Sequence, residues 1–407
     1  MNKTKNMLSV LFLIYFTFTY ASFACTTAVI SGKCTNDGRP ILLKNRDTDE
    51  LENKLVYFID GKYQYIGLVN SNDVEGLDVW AGFNNAGFAI MNSASYNLKM
   101  NDTSNAEGLE GELMKKALMN CTTVDDFENL LKELPKPLGV ESNYGVIDAL
   151  GNAAYFETNN FIYTKYDIND PATAPNGYLI RTNFSFSGEK DMGAGYVRFD
   201  TASDIFEDAY KSGTISVDFI LKNIPRCLKQ SLTKTDLTQN LPDSNQHDKF
   251  CSIRDFIPRY STSSAIVIQG IKPDEQPALT AMWTIMGFPL ASVAIPVWLN
   301  NDCVLPNILA GDDDGVAPLC KLSLQLKKNI FSVRTGNSED YIDLSAVINK
   351  AGTGILQKLM PLEDEIISRA KILQQEWRIK GIDFFGMKNF YDWVDEKIKS
   401  EFEELLH

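Results

Sequence analysis

Residues rich in Thr, Ile and Val occupy Thr26 to Ser31, and a second apolar run, Ile41-Leu42-Leu43, ends in Lys44. Asn36-Asp37-Gly38 lies between them, and an Asp-Gly step between two β-rich runs predicts a hairpin. A turn centred on Asp37-Gly38 sets Cys25 opposite the stretch Arg46 to Glu50. Further strands are predicted at Leu55–Ile59, Tyr65–Leu68 and Val79–Phe83. The turn Asn84-Asn85-Ala86-Gly87 leads into another, Phe88–Asn92. Helices are expected over Glu112–Asn120 and Val124–Leu134, the second stopped near Pro135 and Pro137. Tyr144–Asp148 and Ala153–Glu157 flank the turn Leu150-Gly151-Asn152 as a second hairpin, and Tyr178–Thr182 is a strand ending at Asn183. Ala202–Tyr210 and Val217–Leu221 read as helices, Ser264–Gly270 and Leu279–Met286 as late strands.

Near the end the period changes from two to 3.6. Leu362, Ile366, Ala370, Leu373 and Trp377 form one helical stripe, with Pro361 at its start and Gly381 at its end. Phe390, Val394, Ile398, Phe402 and Leu405 form a second stripe behind Asn389, a candidate N-cap. Both are packing faces. No internal repeat or low-complexity linker interrupts the chain. The expected organisation is a signal peptide over 1–24 and one domain over 25–407, with about 353–407 as a helical C-terminal extension.

The chain's opening changes this picture. Lys3 and Lys5 precede an apolar run from Leu8 to Tyr20, followed by Ala21-Ser22-Phe23-Ala24. This is the layout of a secretory signal peptide, with cleavage expected after Ala24. Cys25 then becomes the first residue of an exported, secreted or periplasmic protein, carrying a thiol and a free α-amine together. Such a residue holds both a nucleophile and its base. The alternative is a lipoprotein anchored through Cys25, but Ser22 and Phe23 occupy the positions where Leu and a small residue are usual. The third possibility is an ordinary disulfide cysteine.

Composition narrows the chemistry. The formal charge of −14 argues against nucleic acid or an anionic membrane as partner. No second run is long enough to span a bilayer, so no membrane insertion is expected once the signal is removed. With only two histidines, a Cys-His pair or a His-rich metal site is disfavoured. Asp312-Asp313-Asp314-Gly315 lacks the alternating ligands and distal Glu of a calcium loop. No metal or cofactor is therefore expected. Seven cysteines suit one free thiol and up to three disulfides.

Thiolate attack on an amide needs partners for the α-amine, for the sulfur and for the oxyanion. Asp49 is a candidate acceptor for the amine, and Arg46 a fixed positive charge that favours the thiolate. Lying three apart, they reach one site only if the strand ends or bulges between them; otherwise they are a surface ion pair. Asn92 and Asn183, at strand ends, are candidate oxyanion donors, or simply turn formers. Asn183-Phe184-Ser185, Asn101-Asp102-Thr103 and Asn120-Cys121-Thr122 also match glycosylation sequons. Arg259, beside Ser261-Thr262-Ser263-Ser264, is a candidate site arginine, with Arg254 as competitor.

Taken in order, Cys25-Thr26-Thr27, Arg46-x-x-Asp49, the run Gly82 to Asn92, and Arg181-Thr182-Asn183 form an ordered set. Together with the hairpin from Asp148 to Glu157, this set resembles the choloylglycine hydrolase and isopenicillin-N acyltransferase-like branch of the N-terminal nucleophile hydrolases. The resemblance covers roughly Cys25 to Trp298. It implies an α+β fold, a four-layer αββα sandwich with the C-terminal helices appended. It also implies Cys25 as nucleophile with Arg46 and Asp49 beside it, Asn92 and Asn183 as oxyanion donors, and Arg259 as the later arginine. Three features depart from the branch: a longer connection from Cys25 to Arg46, the extra helices, and a secretory signal as the route to a free amine. The activity implied is hydrolysis of a linear C–N amide, non-peptide or dipeptide-like, through a Cys25 thioester, the partner being a small acyl-amide. Acyl transfer to an amine is the alternative outcome on the same scaffold, and a non-enzymatic lipoprotein the alternative class. Oligomeric state and disulfide pairing are left open.

Overall fold

A computed structural model describes residues 24–99, 102–245 and 248–406. The predicted signal segment up to Phe23, the sequon residue Asn101, His247 and His407 lie outside the described residues. The first half of the chain runs β1 (Thr26–Ile30), β2 (Ile41–Asp47), β3 (Asn53–Phe58), β4 (Tyr65–Asn70), β5 (Ala81–Asn84), β6 (Ala89–Ala94), α1 (Glu110–Asn120), α2 (Val124–Glu133), β7 (Ser142–Ile147), β8 (Ala153–Thr158), β9 (Tyr163–Asp167) and β10 (Tyr178–Arg181). Then come α3 (Tyr196–Ser212) and α4 (Val217–Asn223), followed by the short ribbon strands β11 (Lys229–Gln230), β12 (Thr235–Asp236) and β13 (Phe250–Ser252). The last part holds β14 (Thr262–Gln269), β15 (Ala281–Met286), β16 (Ala294–Val297), α5 (Pro318–Ile330), β17 (Tyr341–Asp343), α6 (Leu344–Val347), α7 (Ile355–Lys380) and α8 (Phe384–Leu406).

Strands β3 to β9 form a seven-stranded antiparallel meander in chain order. The other large sheet has six strands ordered β10-β1-β2-β14-β15-β16, with the amino-terminal hairpin near its centre. Every residue of β1, β2 and β14 is buried, as strands covered on both faces must be. The two sheets stack, β1 and β2 lying against β6 and β7. Gly145 permits the approach: a Cβ there would collide with Met91 and with Val29 of the facing sheet.

Helices cover the two outer faces. On the seven-stranded sheet, the Phe127 ring of α2 sits 5.7 Å from Tyr144 and 5.2 Å from Phe156. A Thr123–Asp126 capping box starts that helix. On the six-stranded sheet, α3 packs on β1 and β10, α4 on β14, α5 on β15 and α7 on β16. The layer order is α, β, β, α. That is the expected sandwich, with α7 and α8 added to one side.

Several boundaries differ from the sequence reading. The β1–β2 connection spans residues 31–40, and Ile30 pairs with Ile41. The tight turn inside it closes one residue early, Gly38 N–H donating to the Thr35 carbonyl at 3.4 Å, while Asp37 accepts from Arg39 and Gln269 and Asn36 N–H donates to the Ile215 carbonyl. Pro361 lies inside α7 rather than at its start. Burial of Leu356, Leu359, Leu362 and Ile366 on either side holds the segment helical despite the missing N–H. Asn389 is likewise inside α8; Asp383 caps it, its carboxylate accepting the Phe385 N–H at 3.1 Å. The expected disulfides do not form: all seven cysteines are free. Cys121 lies in the core under α1 and α2, Cys227 and Cys320 in the other core.

Candidate active site

The hairpin register places Cys25. Thr26 pairs with Asn45, so Cys25, one residue earlier, stands across from Arg46. Strand β2 ends at Asp47, beside a register irregularity on β14 between Thr262 and Ser264. Alternation then sorts the strand's polar residues onto two faces. Lys44 and Arg46 point between the sheets, Asn45 and Asp47 toward the loop before β14.

Between the sheets, the Lys44 ammonium donates to Asn92 Oδ1 at 2.6 Å and to the Trp80 carbonyl at 2.7 Å. Asn92 Nδ2 in turn donates to Ser142 Oγ at 3.0 Å. The Arg46 guanidinium donates to Asn53 Oδ1 at 2.5 Å and Asn70 Oδ1 at 2.7 Å, and lies 5.1 Å from the Trp80 ring centre. On the other face, Asp47 is buried and pairs with Arg259 at 2.8 Å, while Thr262 Oγ1 donates to it at 2.6 Å. Arg259 Nη2 also donates to the carbonyl of Ala24, the residue before Cys25, at 3.3 Å.

A third buried cation comes from α3. Gly195 opens that helix in a left-handed conformation (φ +86°), and the first turn carries Arg198 into the site. Its guanidinium donates to the Cys25 carbonyl at 2.5 Å, to Thr26 Oγ1 at 3.0 Å and to Asn183 Oδ1 at 2.8 Å. Asn183 follows β10, bridges Ala194, and donates from Nδ2 to the Ala94 carbonyl at 2.9 Å.

The structure thus gathers Cys25, Arg46, Asn183 and Arg259 at the open end of β1, with Asn92 attached through Lys44. Asp49 is the exception. It is exposed on a bend beyond the strand, with no ion pair or side-chain hydrogen bond among the described residues. The strand does end between Arg46 and Asp49, as their joint use required, but it ends at Asp47, and the buried carboxylate is Asp47. Arg254 is exposed, so Arg259 is the arginine at this site. Three residues escaped the sequence reading: Lys44, Asp47 and Arg198. Lys44 had a signal, a cation closing an apolar run. Arg198 had none, because Gly193-Ala194-Gly195 reads as loop.

The electrostatics are lopsided. Lys44, Arg46 and Arg198 are fully buried, and none has a carboxylate partner among the described residues. Burial lowers Lys44 to about 7, opposed by attraction to Cys25 and reinforced by Arg46. Burial likewise lowers Arg46 and Arg198 to about 10, and both attract a negative charge on Cys25. Asp47 is already matched to Arg259. Tyr96, at the rim, is raised by burial and then by Cys25. Among the described residues no group of three His, Cys, Asp or Glu side chains is placed to hold a metal ion, and no helix is long and apolar enough to cross a membrane.

Two sheets between helical layers, with a cysteine at the head of a central strand among cations and amides, define the N-terminal nucleophile class. Residues 34–246, just over half the chain, match the family "acyl-coenzyme A:6-aminopenicillanic acid acyl-transferase", and the chain belongs to that family. The matched stretch includes Lys44, Arg46, Asp47, Asn92, Asn183 and Arg198; Cys25 and Arg259 fall outside it. No curated protein matches the chain. Among solved structures, it is similar to a Caenorhabditis elegans N-acylethanolamine-hydrolyzing acid amidase ortholog (16% identity, 60% of this chain, 92% of that one, TM-score 0.39). It is similar also to penicillin V acylase from Agrobacterium tumefaciens (12%, 68%, 87%, 0.36). A variant of conjugated bile acid hydrolase from Clostridium perfringens is a third (11%, 69%, 94%, 0.40).

Proposed function

We propose that this chain is an exported amidohydrolase that cleaves a linear C–N amide of a small acyl compound through a Cys25 thioester. The observation that carries this reading is the position of Cys25: buried at the head of β1, with the buried Arg46 and Arg198 guanidiniums beside it and the Asn183 amide tied to its carbonyl through Arg198. Removal of residues 1–24 gives Cys25 a free α-amine. That amine takes the thiol proton, the thiolate attacks the acyl carbonyl, and Asn183 with a backbone N–H receives the oxyanion. Collapse breaks the C–N bond, the protonated amine returns its proton to the leaving nitrogen, and a thioester remains. Water then attacks with the α-amine as base, releasing the acid and restoring the thiol. Asp47 is buried and held by Arg259, which also donates to the Ala24 carbonyl, and in this scheme it orients the amine.

A second outcome follows from family membership: an amine in place of water gives acyl transfer through the same thioester. Both readings require the same mature terminus. The test is a panel of acyl-amides given to mature protein, its Cys25→Ser variant and a form with one extra residue before Cys25. Turnover should fall more than about a thousandfold in the last two. Undiminished cleavage by Cys25→Ser, or a diacylglyceryl group on Cys25 in the intact mass of the mature protein, overturns the proposal.

A further inference from the structure

Arg198 is expensive for the fold and has no evident structural return. It is fully buried, no carboxylate among the described residues pairs with it, and its Nε is buried with no acceptor. It also sits in the first turn of α3, where the helix dipole disfavours a cation. A buried guanidinium without a counterion is destabilising relative to an apolar side chain of similar size. What it does have is a set of three acceptors that belong to the proposed chemistry: the Cys25 carbonyl, Thr26 Oγ1 and Asn183 Oδ1.

The contact with Asn183 settles which way that amide faces. Arginine can only donate, and the Ala94 carbonyl on the amide's other side can only accept. Turned over, the amide would set two donors against each other and two acceptors against each other. Arg198 therefore fixes Nδ2 as the donating end. The same guanidinium pins the main chain of Cys25, so one rigid fork sets nucleophile and amide donor relative to each other.

We propose that Arg198 is a positioning residue for acyl transfer, holding the Cys25 main chain and the Asn183 amide in mutual register. This rests on reading Cys25 as the nucleophile. In its absence only the Ala94 carbonyl orients the amide, so conformers that present Oδ1 where the oxyanion develops become accessible, and lone pairs there repel it. Lysine preserves the charge but not the fork: one ammonium cannot span acceptors on two elements in the planar geometry that guanidinium supplies.

Two thiol probes separate this role from a merely structural one. Iodoacetamide alkylates a thiolate without forming an oxyanion, whereas 4-nitrophenyl acetate acylates through one. In mature protein, Arg198→Lys should slow acylation by 4-nitrophenyl acetate about 100-fold, while alkylation of Cys25 stays within about threefold, since the positive charge is retained. Asn183→Ala should slow acylation similarly, and adding it to Arg198→Lys should cost little more, because the two act as a unit. Arg198→Met, which removes the charge as well, should slow both reactions. Wild-type acylation by Arg198→Lys, equal loss in both probes for that variant, or additive losses with Asn183→Ala would each overturn the proposal. A nitrophenol burst in Cys25→Ser as fast and as large as in the wild type would instead refute the nucleophile itself, whatever the Arg198 variants do.

Discussion

At the scale of single residues, the site turns on which carboxylate and which cations are buried. The ordered set of motifs pointed to Arg46 and Asp49, and the fold keeps only the first of these at the site. Asp47 is buried against Arg259 and Thr262, whereas Asp49 faces solvent. Asp47→Asn should therefore lower turnover about 100-fold, the scale of a lost acid–base partner, while Asp49→Asn changes it by less than about threefold. Steady-state kinetics on the two variants decide the matter, and the opposite ranking would return the role to Asp49. The preference was hidden in the sequence because Arg46-x-x-Asp49 matches a known spacing, while Asp47 declares itself only when the strand's end is known. Cys25 and Asn183 were singled out without the fold, the first from the expected cleavage after Ala24, the second from the resemblance of the ordered motif set, since alone it read equally as a turn former.

Elements were legible wherever their period was local. The strands of the hairpins Ser142–Thr158 and Thr26–Asp47, the helices α1, α2 and α4, and both C-terminal stripes follow from alternation and helical spacing. What failed were starts and joins. The sequence marks α3 only from Ala202, yet it begins at Tyr196, because Gly195 starts it in a conformation read as loop. Strand β9 and helix α5 were missed outright. The C-terminal helices dock through buried polar groups that no hydrophobic stripe announces. Glu363 of α7 pairs with Arg226 at 2.6 Å and also accepts the Ala294 N–H of β16 at 2.6 Å. Glu363→Gln leaves the buried Arg226 charge uncompensated and should cost about 3–5 kcal/mol. Denaturant titration measures it; a loss below about 1 kcal/mol would mean the pair is not buried as described.

For the whole molecule, buried ionisable groups set the pH dependence of stability. Burial lowers Lys44 and Lys327 to about 7 from 10.5, and Lys327 sits against the rings of Tyr260, Phe288 and Phe331. Between pH 7 and 10.5 the unfolded chain holds protons on these amines that the folded chain does not. Stability from these two groups therefore rises with pH across that window, and their penalty is present in full below 7. The buried thiols act oppositely. Burial raises Cys227 and Cys320 to about 11 and Cys121 to about 12, so unfolding is favoured as pH climbs above the ordinary thiol value of 9. These groups together put the optimum near pH 9. In Lys327→Met, the gain in unfolding free energy from pH 7 to 9 should shrink by up to about 1.4 kcal/mol per pH unit. An unchanged slope in urea unfolding at pH 7, 8 and 9 would show that Lys327 stays charged.

The sequence by itself determined most of the strands, most helices and the cysteine at the head of the first strand, and the resemblance of its ordered motifs implied the two-sheet class. The elements depend on alternation and helical spacing, encoded within a few residues. Only the tertiary structure decided the register of β1 on β2, the burial of Asp47 in place of Asp49, and the convergence of Lys44, Arg46 and Arg198 on one sulfur. Those outcomes depend on contacts such as Arg198 to Cys25, between segments far apart in the chain. A side chain's charge is written in the sequence, but whether water or another element surrounds it is settled only when the layers close.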